Sequence, residues 1–312
     1  MCKNPLVSII TPAFNARATI GYTIESVLSQ TFSDFEMIIV DDGSTDNTAQ
    51  LINNIKDERI VYIFQSNKDR AEARNHGIGI ARGDYIAFLD SDDLWMQDKL
   101  EKQVPLLDEN PEIGLVYSDL YYFAHQTGED LLQYSKKVKL HKGTVPVRLI
   151  IERNFIQSPT PIIRREVFEE VGLFDTCLIP VEDWDMWIRI VAKFPIDFID
   201  EPLARYRVHE NAILWSQYPE KQYSAVNKML DKVEHHFDAQ NTAIKSGINR
   251  GRALANYVYG LTLLNTCNYN EARSYFFEAL KINPLLLQLY VRLLQLSLVY
   301  VMYIAKKRLT IK

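Results

Sequence analysis

The sequence has few cysteines and no excess of positive charge. Its three cysteines, Cys2, Cys177 and Cys267, are far apart and form no C-x-x-C pair. This spacing argues against a cysteine-built zinc site and indicates a reducing compartment. The 35 lysines and arginines against 40 aspartates and glutamates leave a net charge of −5. Proteins that coat nucleic acid usually carry a basic excess, so we expect no nucleic-acid partner.

Long apolar runs are also missing from most of the chain. The run at 6–10 is short, contains Ser8 and is closed by Pro12, which does not fit a signal peptide. One segment, 285–305, is lipid-compatible, so we expect the body of the protein to lie in the cytoplasm. With 312 residues, 47% hydrophobic and 24% charged, the composition is globular and excludes wholesale disorder, collagen and a polytopic membrane protein.

Strand and helix patterns alternate over the first part of the chain. Buried strands are predicted at 6–14, 35–40, 60–64 and 85–89, separated by helices at 18–30, 45–55 and 71–81. This alternation predicts an α/β fold with a mostly parallel, Rossmann-like sheet and flanking helices. Because ligands bind at the carboxyl ends of such strands, the loops that follow the four strands are expected to face one site.

The later patterns are less regular and then become helical. They predict a strand at 113–118, helices at 144–153, 166–171 and 183–193, and one or two short strands over 196–207 around Pro202. Strand signals stop after about residue 220. We therefore predict a first domain over 1–220 and an all-α extension over 221–312.

The extension contains one helical hairpin pattern and one apolar segment. Gly260, Ala272, Phe276, Ala279 and Pro284 have the offsets of a tetratricopeptide helix–turn–helix unit over about 253–286. The segment 285–305 carries a narrow polar stripe and precedes a basic tail. Such a helix either packs internally or lies in a membrane interface. We expect a peripheral contact with the inner face of the cytoplasmic membrane, or a protein partner bound through these helices.

Acidic residues follow two of the predicted strands. Asp90 and Asp92 flank Ser91 after the fourth strand, where alternation would place both carboxylates on one face. They can hold Mg²⁺ or Mn²⁺ against a diphosphate, or they form a solvated acidic turn. Asp42 follows the second strand. It can accept a hydrogen bond from a uracil N–H or a ribose hydroxyl, or it can form the turn with Gly43.

Four stretches, VSIITPAFN, VDDGSTDNT, ARGDYIAFLDSDD and EDWDMWIR, occur in this order and together resemble family 2 glycosyltransferases with the GT-A fold, over about 5–209. The resemblance implies an inverting hexosyl- or N-acetylhexosaminyltransferase that depends on a divalent cation, Mn²⁺ or Mg²⁺. Its donor would be a nucleoside diphosphate sugar, with UDP-sugars favoured. The acceptor would be a hydroxyl of a glycan or lipid-linked acceptor in cell-surface polysaccharide synthesis.

The resemblance also implies roles for individual donor-side residues. The positions that match nucleotide-sugar-binding residues are Pro12, Ala13, Asn15, Asp42, Asn67, Arg74, Asp90 and Ser91, and those that match metal ligands are Asp92 and His209, with Asp93 as a weaker candidate. Arg74 either reaches the sugar or the acid cluster, or forms a structural ion pair with a strand-end aspartate. The chain departs from the family at Asp69, where glycine is usual.

The later stretch EDWD supplies the candidate base. An inverting transfer needs a group that removes the acceptor hydroxyl's proton, and by resemblance that base is Asp183. Glu182 would bind the acceptor or orient Asp183, although both acids also suit the start of a helix. Trp184 is a candidate acceptor-binding residue, whereas Trp187 is expected in the core.

Two other functions are considered. A nucleotidyltransferase also places carboxylates and a metal at strand ends, but its usual glycine-rich, lysine-containing loop is missing from TPAFNARAT. A non-catalytic binding module would use the helical hairpin. The intact acids Asp90, Asp92, Glu182 and Asp183 argue against that alternative, because a decayed enzyme tends to lose such residues.

Overall fold

The computed structural model describes residues 4–208, 219–237 and 241–284. These residues form two compact units. The first contains the residues up to 150 and those from 154 onward that precede the C-terminal helices, and the second contains 151–153 and those helices. The predictions for His209, for 285–305 and for the end of the hairpin at 286 lie outside the described residues.

The first unit is a mixed α/β structure built on one sheet. Its strands are β1 Val7–Ala13, β2 Phe35–Asp42, β3 Ile60–Gln65, β4 Tyr85–Phe88, β5 Leu94–Trp95, β6 Leu115–Ala124, β7 Asp130–Gln133, β8 Ile162–Arg164 and β9 Ile196–Val208. Its helices are α1 Ile20–Leu28, α2 Thr48–Asn54, α3 Arg70–Ile80, α4 Lys99–Glu109, α5 Val147–Glu152, α6 Val167–Val171 and α7 Glu182–Val191. The predicted fold class is therefore confirmed.

The sheet has a parallel half and a mixed half. Its strand order is β3-β2-β1-β4-β8-β6-β9-β5, with β7 paired to β6. The first four strands in this order are parallel, as the alternating pattern predicts. β8 runs antiparallel to both β4 and β6, whereas β6 and β9 are parallel. The carboxyl ends of β1, β2 and β4 therefore meet at one edge.

The structure corrects the strand pattern around Pro202. One long strand, β9, replaces the one or two short strands predicted there. Proline cannot donate a ladder hydrogen bond, and the register between β6 and β9 shifts where Asp119 faces Pro202. The buried Asp119 carboxylate accepts hydrogen bonds from the backbone N–H groups of Leu120 and Ser135 at this irregularity. These two hydrogen bonds accompany the irregularity, and β9 continues past Pro202 to Val208.

The second unit is helical. It contains α8 Pro219–His236, α9 Thr242–Asn265 and α10 Tyr269–Ile282. A Cβ atom at Gly260 would lie 2.5 Å from Cε1 of Phe276, so α9 and α10 approach closely at this glycine. Ala272 and Ala279 are fully buried in the same helix pair. The helical hairpin is thus present. Among the described helices, none combines the length and the apolar character needed to cross a membrane.

Helix α3 lies close against β1, and a glycine makes this approach possible. A Cβ at Gly77 would lie 2.5 Å from Cγ2 of the buried, β-branched Ile10, whereas a Cβ at Gly79 would meet nothing within 4 Å. The substitution Gly77→Ala should lower the free energy of unfolding by about 1–3 kcal/mol through overpacking. Gly79→Ala in the same helix should leave it unchanged or raise it by up to about 1 kcal/mol.

Urea unfolding of the full chain measures both changes. Equal shifts for the two variants would contradict the close contact between α3 and β1. The comparison is matched because both glycines lie in α3, three and one residues from its end at Ile80.

Candidate active site

A cleft of about 200 Å³ lies at the carboxyl edge of the parallel strands. Its walls come from the ends of β1, β2 and β4 and from the start of α3. The lining residues are Pro12, Ala13, Phe14, Asp42, Arg70, Asp90, Ser91 and Asp92. The structure therefore brings six sequence-predicted residues together. It adds Phe14 and Arg70, which had been given no individual role.

A larger cavity, about 380 Å³, lies in the second unit. It is lined by Thr242, Lys245, Ser246, Asn249, Arg250, Ile282 and Asn283. This lining contains neither a carboxylate nor an aromatic ring, so it offers no acid–base pair and no stacking surface. The strand-end cleft is therefore the candidate active site.

Asn15 joins the first two loops beside the cleft. Its Oδ1 accepts a hydrogen bond from Thr45 N at 2.8 Å, and its backbone N–H donates to Ser44 Oγ at 2.9 Å. These bonds occupy the residues where α2 was expected to begin, and the helix instead starts at Thr48. Asn15 does not line the cleft, so its contact with a nucleotide stays a prediction.

Asp42 holds the loop that follows β3. Its Oδ1 accepts from Lys68 N at 2.9 Å, and its Oδ2 accepts from Asp69 N at 2.8 Å. Asn67 lies in this loop with an exposed side chain and does not line the cleft. The turn role considered for Asp42 falls instead to Asp41, whose Oδ1 accepts from Ser44 N at 2.8 Å.

Gly43 allows these two loops to approach each other. Its φ of +80° lies in the left-handed region, and a Cβ there would meet Asn67 N at 2.8 Å. In the segment that follows β3, only Arg70 lines the cleft. Lys68 and Asp69 contribute through their backbone N–H groups, which donate to the Asp42 carboxylate.

Asp69 has a backbone conformation that is typical of glycine. Its φ is 111° and its ψ is 169°, a conformation that non-glycine residues rarely adopt. Its side chain accepts hydrogen bonds from Ala71 N and Glu72 N and so caps α3. At this departure from the family pattern, the chain thus has a glycine-like backbone conformation and a side-chain helix cap.

Arg74 forms a buried bridge behind the cleft. Its Nη2 lies 2.6 Å from Asp90 Oδ1, and its Nη1 lies 2.8 Å from Glu182 Oε1. The side chain is fully buried and does not line the cleft. The ion pair with a strand-end aspartate, one of two roles considered for Arg74, is present. Its direct contact with a sugar stays a prediction.

The D-x-D residues lie in a turn, which corrects the expectation that they continue a strand. β4 ends at Phe88, and the N–H of Asp93 donates to the carbonyl oxygen of Asp90 at 3.1 Å. Alternation along a strand therefore does not set the direction of these side chains. Asp90 and Asp92 line the cleft all the same, because the turn lies at the end of β4.

The last residues of β9 support this turn. Arg207 donates its backbone N–H to Asp93 Oδ1 at 2.8 Å and its Nε–H to the carbonyl oxygen of Asp92 at 2.6 Å. Burial raises the pKa of Asp93 well above its ordinary value, and the nearby Asp92 and Asp90 carboxylates raise it further. Within the described residues, Asp93 Oδ2 is buried and has no hydrogen-bond partner.

This acidic turn suits a divalent cation. A positive ion near Asp92 and Asp93 would relieve their mutual repulsion and give the orphaned Oδ2 a partner. Over the residues that the structure describes, no three His, Cys, Asp or Glu side chains form a group that holds a metal alone. Mg²⁺ commonly uses one or two carboxylates together with substrate phosphates, so Asp92 and Asp93 fit the protein's share of such a site.

The first turn of α7 carries two carboxylates with different environments. Glu182 is almost fully buried, and its Oε1 lies 2.6 Å from Arg70 Nε as well as near Arg74. Burial raises the pKa of Glu182, but the two guanidinium groups outweigh burial and hold it below its ordinary value. Burial and the Glu182 charge raise the pKa of Asp183 to about 6, against the opposing effect of Arg74 and Arg70.

Asp183 also has the capping role that its position suggested, because its Oδ1 accepts from Trp184 N at 2.6 Å. A carboxylate whose pKa lies near 6 is ionised at neutral pH and is a stronger base than an ordinary aspartate. The arrangement can therefore accept a proton at Asp183 while Glu182 stays charged.

The two tryptophans of α7 point into the protein interior. Trp187 is fully buried and packs near the rings of Phe88 and Phe174, as expected for a core residue. Trp184 is 8% exposed, and its indole N–H donates to the carbonyl oxygen of Ile150 at 2.6 Å. Stacking of Trp184 on an acceptor sugar stays a prediction that this buried position does not favour.

Sequence comparison matches residues 8–172 to Glycosyl transferase family 2. A glycosyltransferase of Rickettsia felis is 37% identical over 207 residues, which are 65% of this chain and 33% of that protein. The chain thus spans about a third of that relative's length. The UDP-Glc:alpha-D-GlcNAc-diphosphoundecaprenol beta-1,3-glucosyltransferase WfaP of Escherichia coli is 34% identical over 237 residues, covering 74% of this chain and 89% of that protein.

Two solved structures share the fold. The S. aureus TarS fragment 1-349 in complex with UDP-GlcNAc aligns with a TM-score of 0.68 at 19% identity, over 88% of this chain and 81% of that one. The mannosyltransferase PcManGT from Pyrobaculum calidifontis, in complex with GDP-Man and Mn²⁺, aligns with a TM-score of 0.63 at 15% identity, over 96% and 81%. The predicted GT-A fold is confirmed.

The strained cap at Asp69 gives a stability prediction. Asp69→Ala loses the cap and keeps the unfavourable φ of 111°, whereas Asp69→Gly loses the cap and relieves the strain. We expect the glycine variant to be more stable than the alanine variant by about 1–2 kcal/mol. Thermal and urea unfolding of both variants measure the difference. An alanine variant as stable as the glycine variant would show that residue 69 is not held in this conformation.

Proposed function

We propose the reaction of this protein from one premise: the chain belongs to glycosyl transferase family 2. It moves a hexosyl or N-acetylhexosaminyl group from a UDP-sugar to a hydroxyl of a glycan or lipid-linked acceptor, by a single inverting displacement. The observation that carries this proposal is the cleft that joins the nucleotide loops and the acidic turn, with Glu182 at the start of α7 tied to this turn through Arg74.

The donor would lie along the strand-end cleft. Pro12, Ala13 and the half-exposed ring of Phe14 form an apolar wall on which a flat base can stack. Asp42 lines the same cleft, with its carboxylate already oriented by the N–H groups of Lys68 and Asp69. A carboxylate held in this way can accept from the uracil N–H or a ribose hydroxyl. UDP is favoured because TarS and WfaP are named with UDP-sugars.

The diphosphate and the sugar would lie next to the acidic turn. Asp90 and Ser91 offer acceptors to sugar hydroxyls, with Asp90 kept ionised by Arg74: burial raises the pKa of Asp90, but Arg74 and Arg70 lower it below its ordinary value. Asp92 would hold Mn²⁺ or Mg²⁺, with Asp93 and His209 as further candidates. When bound, the cation would stabilise the negative charge that develops on the leaving diphosphate.

Asp183 would act as the base. As the acceptor oxygen attacks the anomeric carbon, its proton passes to the Asp183 carboxylate. The bond from the anomeric carbon to the diphosphate oxygen breaks, and its electron pair leaves with the nucleoside diphosphate. Glu182 takes no proton in this step, because its charge is held by Arg70 and Arg74. Its role is to fix the first turn of α7.

The proposed acceptor rests on the relative WfaP alone. WfaP is named for transfer to a sugar on diphosphoundecaprenol, so a lipid-linked glycan of cell-surface polysaccharide synthesis fits the chain as acceptor. We place this reaction at the inner face of the cytoplasmic membrane. The apolar segment 285–305 with its basic tail would supply the peripheral contact, and the tetratricopeptide-like hairpin would offer a protein-binding surface.

A donor screen tests this function directly. The full chain is incubated with a panel of nucleoside diphosphate sugars, with and without Mn²⁺, and release of the nucleoside diphosphate is measured. We expect Mn²⁺-dependent release from at least one UDP-sugar. Pyrophosphate release from a nucleoside triphosphate would indicate a nucleotidyltransferase instead. Binding without any turnover would indicate a non-catalytic module.

Two variants separate the roles of base and metal ligand. Asp183→Asn should lower kcat about 100- to 10,000-fold, since it removes the proton acceptor, while the Kd for UDP changes less than about threefold. Asp92→Asn should abolish the Mn²⁺ dependence of UDP binding measured by calorimetry. Transfer at the normal rate by Asp183→Asn would show that the base is a different residue.

A further inference from the structure

Arg70 has contacts that the proposed reaction does not use. It is the first residue of α3 and 43% of its side chain is exposed, in contrast to the buried Arg74 one turn later. Its Nε–H donates to Glu182 Oε1 at 2.6 Å, and its Nη2 donates to the carbonyl oxygen of Pro180 at 3.1 Å. One edge of the guanidinium therefore holds both the chain leading into α7 and the first residue of that helix.

The same side chain also lines the cleft. Within the described residues, Nη1 of Arg70 has no hydrogen-bond partner, and Arg70 is the one cation among the residues that line the cleft. The remaining charged lining residues, Asp42, Asp90 and Asp92, are acidic. In this cleft, Arg70 is therefore the side chain whose charge would attract a negatively charged ligand.

A diphosphate oxygen is a suitable acceptor for the unpaired Nη1 of Arg70. Guanidinium presents its N–H groups as a planar fork that fits phosphate oxygens, and such charge-assisted bonds are stronger than neutral ones. The Asp42 carboxylate, the candidate nucleotide contact, accepts from the N–H of Asp69, the residue directly before Arg70. The same short segment therefore joins the nucleotide end of the cleft to α7.

We propose that Arg70 contacts the diphosphate of the nucleotide sugar through Nη1 while its opposite edge positions the first turn of α7, which carries Asp183. Arg70 is thus a donor-binding residue and a positioning residue for the base, and it couples donor binding to the geometry of the acceptor side. This inference rests on the proposed function, because it takes a nucleoside diphosphate as the ligand.

Calorimetry with UDP and uridine in the presence of Mn²⁺ tests the diphosphate contact. Arg70→Gln should raise the Kd for UDP about 10- to 100-fold, the effect of losing a charge-assisted hydrogen bond, and change the Kd for uridine less than about twofold. Arg70→Lys should restore most of the UDP affinity, since the charge returns. Its kcat should stay reduced, because an ammonium cannot make both sets of contacts.

A matched control is Arg82→Gln. Arg82 is also half-exposed and holds a buried carboxylate, with Nε and Nη2 at 2.9 and 2.6 Å from Glu36 Oε2, but at the amino ends of β1 and β2. Its removal should lower the melting temperature and leave the Kd values for UDP and uridine unchanged. It therefore separates loss of a buried ion pair from loss of a ligand contact.

The possible results separate a failure of the proposed Arg70 contact from a failure of the proposed function. If the wild-type chain binds UDP no more tightly than uridine and releases nucleoside diphosphate from no donor, the proposed function fails, and this inference fails with it. If wild type prefers UDP and Arg70→Gln retains that preference, the inference alone is overturned. Equal weakening of UDP and uridine by Arg70→Gln would likewise overturn it, because it would show a merely structural role.

Discussion

The candidate site depends on the buried ion pairs of Arg74. This residue joins Asp90, after the fourth strand, to Glu182, which lies 108 positions after Arg74 in the chain. Arg74 is buried, so removal of either carboxylate would leave its guanidinium charge only partly compensated, at a cost of up to about 3–5 kcal/mol. Through this one side chain, the turn that would hold the donor and the helix that would hold the base keep a fixed relation.

Because of this bridge, the adjacent carboxylates of Glu182 and Asp183 have different roles. Glu182 receives both arginines, and its pKa lies below the ordinary value despite burial. For Asp183, burial and the Glu182 charge together raise the pKa to about 6. Pairs of acids whose environments move their pKa values in opposite directions are a common arrangement in acid–base catalysis. Here one acid anchors the helix and the other is available to take a proton.

Local pattern was sufficient to predict the parallel half of the sheet and the residues at its carboxyl edge. Strands β1 to β4 are continuous apolar segments, and topology then brings Pro12, Asp42 and Asp90 together. Long-range contacts were not predictable in this way. Nothing in the order of residues indicates that Arg70 meets Glu182, 112 positions away, or that the buried Trp184 finds the carbonyl of Ile150. Nor does the sequence indicate that β9 continues past Pro202 as one long strand beside Asp119.

The pKa of Asp183 is the quantity that tests this account most directly. It can be measured in the full chain from the pH dependence of the ¹³C shift of aspartate side-chain carboxyls, with Asp183→Asn used to assign the signal. The arrangement of Glu182, Arg70 and Arg74 predicts a midpoint at about pH 6. A midpoint at the ordinary aspartate value of 3.8 would contradict the burial and the charge coupling on which the assignment of Asp183 as the base depends.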